Sequence, residues 1–158
     1  LPDARNTHLS TELIAASGDD DRLNTSTTFG GNTPGTDDNA FNALGLINTG
    51  LAFAPAVSNL LAVRVGASTF PMPDYGPLRR FQAGTDVFVY AKMDEDAPID
   101  EQATGDDRFL GWEPDFYANW AITSDVTLAL RYGVFFPSDA FLIDDARQFV
   151  FIGVTYGF

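Results

Sequence analysis

The segment 148–158 alternates between two kinds of side chain and ends on an aromatic residue. One set of alternate positions is apolar and the other is mostly small or polar, and the two sets are Val150, Ile152, Val154 and Tyr156 against Phe151, Gly153, Thr155 and Gly157. A soluble strand with this ending would leave an aromatic edge in water at the least protected point of the chain. In a transmembrane barrel the same period of two separates lipid-facing from lumen-facing residues. The segment therefore predicts a membrane-spanning strand.

The same ending resembles the C-terminal assembly signal of bacterial outer-membrane β-barrels. That signal has a final phenylalanine, an aromatic residue two positions earlier and apolar residues at alternate positions before it. Phe158 and Tyr156 occupy the two aromatic positions here. The resemblance implies that the protein lies in the bacterial outer membrane, with membrane lipid and the barrel-assembly machinery as its partners.

Composition limits the partners further. The 158-residue chain is 45% hydrophobic and has a formal net charge of -13, so neither disorder nor nucleic-acid binding is expected. It contains no cysteine, which excludes disulfides and thiolate metal sites. No apolar run approaches the roughly 18 to 20 residues that a membrane-spanning helix needs. If the chain spans a membrane, it must do so as strands.

Six segments alternate in this way, and each has about the ten residues that a tilted strand needs to cross a bilayer. They are 7–17, 59–70, 80–92, 110–122, 125–136 and 147–158. The charges within them fall on one face, while residues such as Leu110, Trp112 and Phe116 are predicted on the other. The fold class is therefore predicted as all-β, with residues 1–158 forming one antiparallel transmembrane β-barrel segment and 18–58 a long external loop.

Connection lengths predict the orientation. Outer-membrane barrels have short turns on the periplasmic side and longer loops outside, and the shortest connection is at 123–125. Parity then places the proline-rich turn 71–77 on the periplasmic side. The acidic connections 18–58, 93–109 and 137–146 are predicted outside.

A soluble antiparallel sandwich is the alternative, because it also alternates apolar and polar residues between acidic turns. Two features favour the membrane barrel. Small residues and glycines recur on the polar face, and aromatic residues cluster at the strand ends of the apolar face, namely Trp112, Trp120, Phe136, Tyr156 and Phe158.

Three further motifs resemble the C-terminal portion of the alginate-export type of outer-membrane barrel. They are AASGDDD at 15–21, LGWEPD at 110–115 and LRYGVFFPSDAF at 130–141, where Ser138 stands in place of the usual glycine. The resemblance implies the export or passage of a saccharide. It also implies many more strands than six, and six strands cannot close a pore wide enough for a polymer. The chain is therefore expected to be part of a longer barrel, or to close with another chain.

The charged face of the strands would line the lumen. Its predicted lining residues are Glu12, Arg64, Arg80, Asp86, Lys92, Glu113, Asp115, Arg131 and Arg147. Inward arginines could form a path for small anions, or they could pair with the acids and fill a wet interior. Two functions follow: a channel or porin-like protein that passes small anionic solutes or a saccharide, and a plugged barrel whose acidic external loops dock a partner.

No catalytic, metal or cofactor site is predicted. Glu113 and Asp115 have the spacing of a carboxylate pair, but nothing indicates a sugar cleft, and His8 has no neighbour that would make a triad. The acidic runs at 19–21, 94–96 and 106–107 could collect Ca²⁺. None of them matches an ordered calcium loop, so solvated surface acid is the favoured interpretation.

Overall fold

In the computed structural model, residues 3–23, 31–41, 43, 45–99 and 107–158 are described. They form six strands: β1 (His8–Ala16), β2 (Leu60–Thr69), β3 (Phe81–Ala91), β4 (Phe109–Ala121), β5 (Val126–Pro137) and β6 (Arg147–Tyr156). One turn of 3₁₀-helix, Gly76–Leu78, lies between β2 and β3, and the described ranges contain no α-helix. None of the described helical structure is long and apolar enough to cross a membrane.

The strands form one antiparallel sheet in the order β1-β2-β3-β4-β5-β6. This confirms the predicted all-β antiparallel architecture, and the strand ends lie within two residues of the predicted ends. The sheet is open, and β1 and β6 are its edges. The long connections 17–59, 92–108 and 138–146 leave from one end of the sheet, here called the loop end. The short connections 70–80 and 122–125 leave from the opposite, turn end.

The sheet has one uncharged face, here called the apolar face. Its members alternate with the charged residues along every strand and are aligned by the strand register, as in the row Leu13, Val63, Val89, Trp112 and Phe136. Many are exposed, including Val65 at 56% and Ile152 at 68%. The described residues place no second layer over this face.

Aromatic residues lie at both ends of the apolar face. At the loop end Trp112 stacks on Phe136, with ring centroids 4.7 Å apart. At the turn end Trp120 donates from its indole N–H to the Pro77 carbonyl at 2.9 Å, and Tyr156 lies 6.2 Å from Phe158. Each end thus has aromatic rings where a strand meets its connection.

Leu110 lies on the opposite side from the one predicted. Alternation places it beside Trp112 on the apolar face, but it is completely buried in the core on the other face. The register between β3 and β4 shifts at Tyr90 and Ala91, and Gly111 has a φ of +139°, a conformation that favours glycine. This irregularity breaks the period of two at the start of β4, so simple alternation fails there.

The second face, here called the charged face, carries every charged residue of the six strands: Glu12, Arg64, Asp86, Glu113, Asp115, Arg131 and Arg147. Its loop-end half is covered by the chain's own connections, which build the hydrophobic core there. The core includes Phe53 and Val57 from the first long connection, Ile99 from the second and Phe141 from the third. The turn-end half, around Ser68 and Gly84, is only partly buried.

Candidate functional site

The centre of the site is the carboxylate of Glu113, which is completely buried. It accepts three backbone N–H groups from one short segment: Leu51 at 2.5 Å and Ala52 at 2.7 Å to Oε1, and Phe53 at 2.8 Å to Oε2. Successive N–H groups that converge in this way form an anion-binding concavity, and such bonds to a charged acceptor are stronger than neutral ones. Glu113 therefore clasps the segment 51–53 against the sheet.

Aromatic packing also holds this segment against the sheet. The Phe53 ring stacks on Phe135, with centroids 4.2 Å apart and planes within 6°. It also meets the rings of Tyr90 and Phe141 edge to face at 5.1 Å and 5.7 Å. Each such ring pair adds about 0.5–1.5 kcal/mol beyond the burial of its surface. The ring packing therefore stabilises the position of Phe53 in addition to the hydrogen bonds with Glu113.

The turn before the clasp requires close approach of the backbone to the sheet. The Tyr90 hydroxyl donates to the Thr49 carbonyl at 2.7 Å, and the Thr49 hydroxyl donates to the Pro55 carbonyl at 2.8 Å. Gly50 has a φ of +111°, and any side chain there would collide with the Tyr90 hydroxyl and the Glu113 carboxylate. Glycine satisfies both requirements at this position.

Asn59 connects this segment to the next long connection. It is completely buried, and its amide nitrogen donates to the carbonyls of Asp94 at 2.8 Å and Ala97 at 2.7 Å. Its side-chain oxygen accepts the N–H of Asp94 at 2.8 Å. A φ of +47° suits asparagine better than most residues. The residues 49–59 and 93–99 thus form one structure, here called the cap, over the loop-end half of the charged face.

Replacing Asn59 with alanine should loosen the cap. Each buried group left without a partner costs about 1–3 kcal/mol, so we expect a loss of about 3 kcal/mol in the free energy of unfolding. Asn59→Gly removes the same hydrogen bonds but relieves the positive φ, so it should be the milder of the two. Urea titration in detergent micelles measures both variants, and full wild-type stability in Asn59→Ala would contradict this role.

Asp86 and Asp115 are direct cross-strand partners on the charged face. Two like charges in this position would repel each other, yet each carboxylate has room on its outer side because glycine is its other neighbour. Any side chain at Gly66 would collide with Asp86 Oδ1, and any side chain at Gly133 would collide with Asp115 Oδ1. The two acids therefore lean apart, one over each glycine.

Arg64 neutralises part of this acidic cluster. Its Nε lies 2.9 Å from Asp86 Oδ1, and its Nη1 lies 3.0 Å from Glu12 Oε2. The arginine side chain is 24% exposed, so the pairs are partly shielded from solvent. Cross-strand pairing of charges, one of the two arrangements predicted from the sequence, is thus present at Arg64.

The other predicted lining cations lie in different environments. Arg131 donates to the Asn119 side chain at 2.8 Å and lies 5.6 Å from the Tyr117 ring centre, on the half of the face that the cap does not cover. Arg147 lies over the rings of Phe135 and Phe141 at the loop end. Lys92 follows β3, is buried and donates to the Glu95 carbonyl at 2.9 Å. Arg80 is exposed in the connection before β3.

The acidic run at 19–21 is the one place in the described chain where three carboxylates come within 4.8 Å of one another. Asp19 is already used as an internal acceptor, taking the N–H of Asn39 at 2.6 Å and that of Asp21 at 2.9 Å. The hydrogen bond from Asn39 is the main cause that lowers the pKa of Asp19. This carboxylate orders its own loop. Of the other acidic runs, Asp106 lies outside the described residues.

The pairing of Glu113 and Asp115 differs from a glycosidase pair. Glu113 is enclosed by three N–H donors, and Asp115 is 3% exposed beneath the cap. Both carboxylates are thus shielded from solvent, and Glu113 anchors the segment 51–53.

The cap was not predicted from the sequence. Glu113 was predicted to line the lumen, and 18–58 was predicted only as a long external loop. The available signal was the apolar segment 40–58, which follows the acidic and polar residues 18–39 and contains a glycine at 50.

No protein-family model matches the chain, and a search of curated proteins found no match.

Proposed function

We propose that the chain forms part of the wall of a bacterial outer-membrane β-barrel that passes small solutes. The observation that carries this proposal is the separation of the two faces: every strand charge lies on one face, while the other is uncharged, apolar and exposed across six strands. Lipid is the solvent that such a face suits, and a wet lumen suits the charged face. The aromatic residues at both ends of the apolar face match the interfacial girdles of such barrels.

The two sheet edges define what the proposal requires. In a bilayer, unpaired backbone groups on β1 and β6 would each cost several kcal/mol, so further strands must pair with both edges. These strands belong either to the rest of a longer chain or to another chain. The resemblance to alginate-export barrels supports a longer chain as the source of these strands. In this arrangement the connections 17–59, 92–108 and 138–146 would lie at the cell surface.

The charges on the strands bear on the solute. Four are acidic and three are basic, and Arg64 contacts two of the acids. A polyanion would favour a lumen of strongly positive excess, which this face does not provide. The proposal is therefore passage of small solutes or a saccharide of modest charge.

A second candidate function rests on the cap. Because residues 49–59 and 93–99 cover the loop-end half of the charged face, the barrel could instead be plugged, with its acidic surface loops docking a partner. Planar-bilayer recording of the purified protein separates the two. Unitary conductance steps support the channel, whereas an inserted, heat-modifiable protein without conductance favours the plugged barrel.

Arg131→Ala should shift ion selectivity toward cations. Arg131 lies on the uncapped part of the charged face, so its removal takes one positive charge from the proposed path. We expect the cation-to-anion permeability ratio to rise by a factor of about two to five, which corresponds to roughly 0.4–1 kcal/mol for one screened charge. Reversal potentials under a salt gradient provide the measurement. Arg80→Ala is the control, because it removes the same charge from an exposed connection, and an equal shift in both variants would contradict the assignment.

A further inference from the structure

The segment 49–58 has the geometry of a fixed insertion into the lumen. It belongs to the connection between β1 and β2 and precedes the loop end of β2. Two kinds of contact hold it on the charged face, one to the Glu113 carboxylate and one through the Phe53 ring stack. Gly133, on the neighbouring strand β5, allows Leu51 to lie close against the sheet, because a Cβ at Gly133 would come within 2.9 Å of the Leu51 Cβ. The wall is thus shaped to receive this segment.

We infer that the segment 49–58 is the constriction of the solute path, and that Glu113 is the positioning residue that holds it against the wall. This inference rests on the proposed function. The three N–H groups of 51–53 need a hydrogen-bond acceptor, which neither lipid nor an apolar side chain offers. The Glu113 carboxylate is that acceptor, so it determines where the backbone of 51–53 lies. The size of the opening then depends on one buried side chain of β4.

The uncapped half of the charged face supports the same assignment. Toward the turn end, the inward positions are small or polar and partly accessible; they include Ser10, Ser68, Gly84, Ala129 and Gly153. Toward the loop end, the inward positions Phe88, Tyr90 and Phe135 are completely buried under the cap. A passage beside this wall would therefore be less obstructed at the turn end than at the loop end, where the cap lies.

Glu113→Gln tests the positioning role with little change in shape. In glutamine an NH₂ group replaces one of the two carboxylate oxygens, and this group cannot accept a hydrogen bond from a backbone N–H. At least one of the three hydrogen bonds is therefore lost. We expect the single-channel conductance to rise by about twofold, with entry of larger polyethylene glycols, because the constriction is released. Hydrogen exchange at the amides of 51–53 should become faster in the same variant.

Glu12→Gln is the matched control. Glu12 lies in the same cross-strand row as Glu113, through Arg64 and Phe88, but it contacts Arg64 instead of the cap. Glu12→Gln removes the same charge as Glu113→Gln at the same depth of the sheet. It should therefore alter ion selectivity without changing the size of the largest polyethylene glycol that enters the channel. An unchanged size limit in folded Glu113→Gln, or an equal increase in Glu12→Gln, would overturn the inference. A wild-type protein without conductance would instead refute the proposed function.

If Glu113→Gln does not fold, Leu51→Cys tests whether the segment 49–58 lines the solute path. The chain has no cysteine, so Leu51→Cys provides a single thiol on the proposed constriction. Treatment with a charged methanethiosulfonate should reduce the current of this variant. Leu142→Cys, whose position is 74% exposed in the third long connection, should be modified without loss of current. Failure of the reagent to reach Cys at 51, or modification there without a fall in current, would show that the segment does not line the path.

Discussion

Arginine in place of Leu130 should lower the free energy of unfolding in a bilayer by about 2 to 4 kcal/mol. Leu130 lies near the middle of β5 and pairs with Ala118 and Ile152 on the apolar face, so its side chain would meet the centre of the hydrocarbon layer. A guanidinium there must lose its hydration or deform the membrane. Urea titration of the protein folded into phosphatidylcholine vesicles measures the effect.

Ala129→Arg is the matched control for this prediction. Ala129 is adjacent in sequence and lies at the same depth, but it pairs with Asn119 and Gly153 on the charged face. The arginine side chain at position 129 would extend into the proposed lumen, where water solvates its charge. The loss in the free energy of unfolding should therefore be much smaller than for Leu130→Arg. Equal destabilisation of the two variants would contradict the membrane assignment, because it would mean that both faces meet the same environment.

The strands and their faces were predictable because their signal is local. A period of two needs only the sequence of one strand, and a buried or lipid-covered face demands it along the whole length. The apolar side of each residue in the row from Leu13 to Phe136 follows directly from this rule. The rule failed at Leu110, where the positive φ of Gly111 and the register shift act together, and neither leaves a mark in the alternation itself.

The cap was not predictable in the same way because its contacts are long-range. Glu113 meets residues about sixty positions earlier in the chain, and Asn59 meets residues 35 to 39 positions later. The segment 49–58 has no regular period, so no strand or helix pattern marks its place. Its fit depends on several coincident features, which include the glycine at 50, the acid at 113 and the stacked ring at 53.

Of the charged residues predicted to line a lumen, those within the strands share one face of the sheet, whereas Arg80 and Lys92 lie in connections. The environment of each charge could not be read from its face. Arg64 and Arg131 lie on the same face, yet Arg64 contacts two carboxylates and Arg131 contacts the Asn119 amide and a tyrosine ring. Which partner an arginine finds depends on the neighbouring strands' register and on where glycine leaves space. Arg147, which looks equivalent to Arg131 in the sequence, lies over the rings of Phe135 and Phe141 instead.

Loss of Phe158 should have the largest effect in cells. Phe158 is fully exposed beyond the end of β6, and its ring lies beside Tyr156 at the turn end of the apolar face. It has little packing to lose, so Phe158→Ser should barely change the stability of protein refolded in detergent. If the residue is part of the assembly signal and of the interfacial girdle, the same variant should lose most of its folded form in the outer membrane while synthesis continues.

The comparison of these two measurements is decisive for the role of Phe158. Heat-modifiable mobility on gels reports the folded barrel in isolated outer membranes, and urea titration in micelles reports intrinsic stability. Tyr75→Ser is the control, because it removes another exposed aromatic ring from a turn-end connection without touching the C-terminus. Normal amounts of folded Phe158→Ser protein in the membrane, or an equal loss in Tyr75→Ser, would show that the terminal position has no special part in assembly.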